Sequence, residues 1–368
     1  MATVTRENIG TLNDKITVKI AKEDYLSSFE KSLKNYSKTA SLPGFRKGMV
    51  PTGLVKKMHG QAVFTDEVLK TVEKELTKYM VDEKLDIFAQ PLPLAENDAR
   101  QLDVNNPAEY TFGFEVGLKP DFTIADLTKE KVTQYKIEAT DEMINQQVER
   151  LQKAYGKKKD PEGNEDDESI EKAEVNEDLF KMVYPGKEIS NEADFRAEIK
   201  KEIEAYWQEQ SKNQVQHEIY HRLLDHSHIT FPETFLKRWL ETSGEKPKTS
   251  EEVEKEFPGF VNQLKWSLIN EKIAKEQKID INQDDLKAFA KKQLFGYMGM
   301  QSVGEEQPWL EEYVNRMMQD RRFIDDAYHR LQTEKIFEWA EGQVQKEEKS
   351  ISADDFTKMN QEHQHHHH

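Results

Sequence analysis

The 368-residue chain has no cysteine, so no disulfide framework or thiolate chemistry is open to it, and a reducing compartment is allowed. It lacks any run approaching the ~20 consecutive apolar residues that a membrane span needs. The opening residues, Met1-Ala2-Thr3-Val4-Thr5-Arg6-Glu7, are polar and do not form a signal peptide. Cytoplasmic residence is the expectation. Positive charge is in deficit, with 53 Lys and Arg against 70 Asp and Glu, a formal net charge of -17. A chain so acidic repels nucleic acid at long range, which excludes a general DNA- or RNA-coating role. Catalytic signatures are missing too. There is no G-x-x-x-x-G-K-[ST] phosphate loop, no G-x-G-x-x-G after a strand and no G-x-S-x-G elbow. Carboxylates are so abundant that no pair of them stands out. The chain is expected not to be an enzyme and to need no cofactor and no metal.

What stands out is the run Ser41-Leu42-Pro43-Gly44-Phe45-Arg46-Lys47-Gly48-Met49-Val50-Pro51 between two expected helices. Two prolines bracket it, and its glycines open backbone angles closed to other residues. Between the glycines stand one aromatic and two cations, which suit carboxylates or phosphates. Read from composition, Phe45 either projects toward a partner's pocket or folds back on its own core. The surroundings are basic: from Leu12 to Met58, Lys15, Lys19, Lys22, Lys31, Lys34, Lys38, Arg46, Lys47, Lys56 and Lys57 outnumber the carboxylates. With screening over ~8 Å in physiological salt, such a patch acts independently of acidic regions elsewhere.

Residues 1–118 read as a compact α+β domain. Ile16, Val18 and Ile20 alternate as a strand, and Tyr25, Phe29, Leu33 and Tyr36 follow at helical spacing. Val63, Leu69, Val72, Leu76 and Met80 mark a second helix over 61–85. Tyr110, Phe112, Phe114, Val116 and Leu118 form a strand with one buried face. Residues 119–156 hold an extended piece over 131–137 and a helix capped by Thr140. Residues 157–175 are acidic, with Pro161 and Gly163, and read as a flexible linker. Residues 176–356 are almost wholly helical, with helices expected over 192–226, 232–242, 250–277, 282–298 and 309–346. Gly244, Pro258, Gly299 and Pro308 mark breaks. Their spacing is too uneven for a solenoid repeat. Residues 357–368 read as a disordered, His-rich tail.

His217-Glu218-Ile219-Tyr220-His221 matches H-E-x-x-H, in which two imidazoles one helical turn apart reach one zinc ion. Val215, Ile219 and Leu223 form the buried stripe of that helix, and the histidines point the other way. Leu224 and Ser227 stand where the longer protease form has glycine and histidine. Pro232 puts Glu241 on another helix. A solvated helix face is the better account.

Gly44-Phe45-Arg46-Lys47-Gly48-x-Val50-Pro51 resembles the ribosome-docking signature of the trigger factor family of chaperones. The likeness extends to Leu179-Phe180, Phe195-Arg196 and Ile229-Thr230-Phe231-Pro232 in the C-terminal half. It implies an α+β N-terminal ribosome-binding domain followed by a predominantly α-helical, elongated C-terminal domain with arm-like projections. It implies ribosome docking through Gly44, Phe45, Arg46, Lys47 and Gly48, against large-subunit protein and RNA at the tunnel exit. It also implies ATP-independent holding of nascent or unfolded chains, with neither DNA nor membrane as a partner. Homodimerisation off the ribosome stays open. Family members typically carry an FKBP-type prolyl isomerase domain between these parts. Here an acidic segment of about twenty residues stands in its place, too short to enclose a proline pocket. Residual isomerase activity and an off-ribosome holdase or adaptor remain as alternatives. Holding requires dispersed, adaptable apolar surface. Phe295, Tyr297, Met298, Met300, Met317 and Met318 are the candidate client contacts, with Trp309, Trp239 and Trp266 as further options and internal packing as the rival account.

Overall fold

The computed structural model describes residues 2–41, 45, 46, 48–158, 170–244, 246–298 and 308–365. It divides into two compact units, each discontinuous in sequence. One joins Met1–Thr123 to His228–Lys265, and the other joins Ile124–Ser227 to Trp266–His368.

The first unit is built on a four-stranded antiparallel sheet. Its strands are β1 (Thr3–Gly10), β2 (Asn13–Ile20), β3 (Leu92–Pro93) and β4 (Tyr110–Gly117), in the order β1-β2-β4-β3. Ile16, Val18 and Ile20 face Phe114, Phe112 and Tyr110 in register, so one face of the sheet is apolar. Two helices cover it, α1 (Lys22–Thr39) and α2 (Thr52–Asp82). Tyr25, Phe29 and Leu33 of α1 meet Val55, Phe64, Val68, Val72 and Leu76 of α2 in one core. The Phe64 ring stands edge-on to Tyr25 at 5.4 Å and to Phe29 at 5.2 Å. Burying a side chain of that size stabilises the fold by about 1.5–3 kcal/mol. The Tyr25 hydroxyl donates to the Ala108 carbonyl at 2.7 Å, and burial pushes its pKa well above the ordinary value.

The other face of this sheet is polar, and a helix packs on the end of it around Glu115 and Gly117. From α6 (Glu233–Thr242), Phe235 lies over Gly117, where a Cβ would come within 2.2 Å of its ring. Arg238 donates to the buried carboxylate of Glu115 and, at 3.1 Å, to the Pro93 carbonyl. Asn13 Nδ2 donates to the second Glu115 oxygen at 2.8 Å. Residues 228–265 therefore group with the N-terminal sheet, whereas the sequence reading keeps 176–356 together. Arg238 on Glu115 and Phe235 over Gly117 are among the contacts that join the two stretches, and residue periodicity carries no record of them.

The second unit is mainly helical. Its elements include β5 (Lys131–Lys136), α3 (Asp141–Ala154), β6 (Lys157–Lys158), β7 (Ile170–Glu171), α4 (Glu177–Val183) and α5 (Glu192–His226). They continue with the end of α7 (Ser250–Gln277), then α8 (Gln283–Met298), α9 (Pro308–Met317), α10 (Arg321–Gln343), β8 (Gln345–Ser350) and α11 (Ala353–His365). Ile144 and Val148 of α3, Leu179 and Phe180 of α4, and Phe195 and Ile199 of α5 form one core, with the Phe180 and Phe195 rings stacked at 4.6 Å. Thr140 caps α3 as expected, accepting from the Met143 N–H at 3.3 Å.

Four expectations are corrected here. The single helix over 309–346 is two helices, because Asp320 caps a new start by accepting from the Arg322 and Phe323 N–H groups. Residues 345–350 are instead a strand parallel to β5. Pro258 does not break α7; Pro258 and Glu254 are both exposed, so the carbonyl that loses its partner is open to water. The tail reads as disordered from 357, but α11 runs to His365, anchored by Phe356 against the rings of Tyr135 and Trp207. In the acidic segment, Lys157 and Lys158 pair antiparallel with Glu171 and Ile170, so the ends of the expected linker form a two-stranded ribbon.

Candidate functional site

The loop joining α1 to α2 carries the residues singled out in the sequence. Lys38 lies in the last turn of α1, and Pro51 sits at the N-cap of α2, where its fixed φ suits helix entry. Between them Gly48 adopts φ +83°, and a Cβ there would come within 3.1 Å of the Lys38 carbonyl. The Met49 N–H donates to the Arg46 carbonyl at 2.9 Å, closing a turn. Val50 is buried and pins the loop's exit to the core.

That anchoring leaves the intervening side chains outside. Phe45 is 42% exposed and Arg46 is exposed. Gly44 and Lys47 lie outside the described residues. Phe45 thus does not fold into the core of its own unit. Lys31, Lys34, Lys38, Lys56 and Lys57 are exposed on the flanking helices. Three further apolar groups were not read as part of the site, and Tyr36, placed by its spacing on the apolar stripe of α1, is exposed instead. Met49 is 70% exposed, Met58 is exposed on α2, and Tyr36 is exposed with its ring 5.1 Å from His59. Met58 was not legible, since it is about five full turns from buried Leu76 and so lies on the same side of the helix. Exposed aromatic and thioether groups among cations can engage a partner that offers an apolar depression with an anionic rim.

The expected client residues part company. Phe295, Met317 and Met318 pack against Ala290, Leu294, Leu310 and Val314 between α8 and α9. Tyr297 is 91% exposed, and Trp309 is 41% exposed. The Met298 side chain and Met300 lie outside the described residues. Trp239 stacks on Phe260 and Trp266 on Phe337, so both indoles are engaged in ring contacts. Among the described residues no helix is long and apolar enough to cross a membrane.

Comparison with known proteins gives a consistent result. Residues 2–151 match the family model described as bacterial trigger factor protein, and residues 199–360 match that of the probable trigger factor C-terminal domain. The trigger factor of Chlorobaculum parvum is 21% identical over 92% of this chain and 95% of its own length. That alignment runs over 426 positions, more than this chain possesses, so the relative carries residues that this chain skips. The trigger factor of Teredinibacter turnerae is 32% identical over 41% of this chain, an alignment spanning 33% of the relative. A solved structure, reported for promiscuous substrate recognition in folding and assembly by the trigger factor chaperone, shares the fold. It gives a TM-score of 0.56 at 13% identity, covering 92% of this chain and 98% of that one. With family models on both sides of the acidic segment and a shared fold across it, the chain belongs to the trigger factor family of chaperones.

Proposed function

We propose that this protein docks at the ribosomal tunnel exit through Phe45, Arg46 and Lys47 and holds nascent or unfolded chains without ATP and without prolyl isomerase activity. The observation that carries the reading is the loop itself. An aromatic ring and a guanidinium stand outside the core, on a turn fixed by Gly48 in the left-handed region and by buried Val50. Phe45 fills an apolar depression on the ribosome, while Arg46 and Lys47 meet acidic protein groups or RNA phosphate. Client contact falls to exposed Tyr297 and Trp309 and to Met298 and Met300, with Phe295, Met317 and Met318 supplying an adaptable apolar cluster between α8 and α9.

The segment between the two matched regions supports the absence of an isomerase. Leu179 and Phe180 of α4 belong to the core shared with α3 and α5, so among the described residues no separate core exists there. Proline-containing tetrapeptides should isomerise at the background rate in the presence of the protein. Catalysis above that rate would overturn this part of the reading.

Docking is tested by co-sedimentation with vacant 70S ribosomes at low and moderate salt, using the parent and a variant with Phe45, Arg46 and Lys47 all changed to alanine. Parent binding that weakens with salt, and its loss in the variant, is the expected result. Equal sedimentation of the two proteins would refute docking through this loop.

A further inference from the structure

The chaperone reading leaves one motif unused, His217-Glu218-Ile219-Tyr220-His221 on α5. The structure brings the two imidazoles together with their Nε2 atoms 3.3 Å apart. We propose that His217 and His221 form a two-nitrogen chelate for a borderline divalent transition ion such as Zn2+ or Cu2+. Nitrogens bound at about 2.0–2.1 Å to one tetrahedral ion lie roughly 3.3–3.4 Å from each other, so the observed spacing already matches a shared ion. Imidazole is a preferred donor for both metals.

The geometry is held from two sides. Along α5, Val215, Ile219 and Leu223 are buried, which fixes the helical turn that sets the histidine spacing. Around the site, the Tyr220 ring stands edge-on to His221 at 5.2 Å and packs against Trp266 at 4.8 Å. The His217 and His221 rings lie 4.5 Å apart at 65°, close enough to share an ion and angled enough to avoid a stack. Without metal the contact is an N–H···N hydrogen bond, in which one ring donates and the other accepts. Metal binding at both Nε2 atoms breaks that bond, and the donor ring moves its proton to Nδ1, so uptake by two neutral rings releases no net proton whereas a protonated ring must lose one.

This is not the protease site that the sequence pattern suggests. Among the described residues no group of three or more His, Asp or Glu side chains is placed to hold an ion. Two protein nitrogens with water in the other positions make an exposed, exchangeable site. The ion bridges one turn of α5 and binds the folded helix alone, so it raises the unfolding midpoint. This inference is independent of the docking reading and stands or falls by itself.

The His-rich tail also binds metal, so the test is run in a full-length chain with His363 and His365 to His368 changed to serine. Cu2+ is titrated while tryptophan emission is followed, since Trp266 lies one ring away from His221. Quenching should persist in the tail variant, and its amplitude should fall when Trp266→Phe is added. His221→Ala and, separately, His217→Gln should each weaken the apparent affinity roughly tenfold or more, as expected when a chelate loses one arm. Zn2+ should compete the quenching away. Loss of the signal with the tail, or equal affinity after both histidine substitutions in chains of unchanged helicity, would overturn the site.

Discussion

At the scale of single residues, Gly117 is the most constrained position on the sheet. Phe235 occupies the volume that a side chain would need, at 2.2 Å from an added Cβ. Gly117→Ala must displace a fully buried ring and is expected to destabilise the protein by about 1–3 kcal/mol in urea unfolding. Adding Phe235→Leu should recover part of that loss, and a double variant no better than the single would show that the clash lies elsewhere. Asp320 offers a milder case. Its carboxylate accepts from the Arg322 N–H at 2.9 Å and from the Phe323 N–H at 3.4 Å. Asp320→Ala should lower stability by about 1 kcal/mol, with Asp320→Asn nearly silent. Position 320 was legible as a cap in principle, because Asp follows Met317-Met318-Gln319 and precedes the next helical run. It went unread because neither glycine nor proline interrupts the pattern there.

Elements are held to one another by a few polar contacts. Just before β5, Glu130 accepts from Arg222 and, at 2.8 Å, from His226 Nδ1, both on the last turns of α5. Burial pushes its pKa up, but the hydrogen bonds and charges of Arg222 and His226 outweigh this and hold it below the ordinary glutamate value. A carboxylate depressed in the folded state stabilises the fold fully above its unfolded pKa, and that contribution fades as pH falls through the folded one. Glu130→Gln should therefore cost about 1–3 kcal/mol near neutral pH, the difference from the parent shrinking in increasingly acid buffers. A gap independent of pH would assign the loss to packing. Arg238 works likewise in the other unit. Arg238→Ala leaves buried Glu115 without its cation and should cost about 3 kcal/mol, largely relieved in the double variant with Glu115→Gln. Strand legibility followed burial. The strands β2 and β4 were readable because one face alternates into the core. All but one residue of β1 and every residue of β8 is exposed, so neither has an apolar rhythm to read. Helices α5, α6 and α7 were readable almost to their ends, since each carries buried residues at helical spacing.

For the whole molecule, the net charge of -17 sits beside the proposed docking loop, which is flanked by exposed lysines. Binding to an anionic partner therefore depends on a local field, which salt screens within about 8 Å at physiological strength. The loop was legible because a short motif of glycine, aromatic and cation survives without context. Its continuation into Met49 and Met58 emerged only when exposure was known. The grouping of 228–265 with the N-terminal sheet was not legible, because it rests on contacts between residues far apart in sequence, such as Arg238 with Glu115 and Phe235 with Gly117. The short ribbon of β6 and β7 has a consequence for how such chains diversify. Its pairing makes Lys158 and Ile170 cross-strand neighbours, about 5 Å apart at their Cα atoms. A polypeptide whose own termini meet at that spacing is therefore expected to be accepted there with the ribbon still paired, and a lowered unfolding midpoint on insertion would refute this. The ribbon is then a socket for an added module.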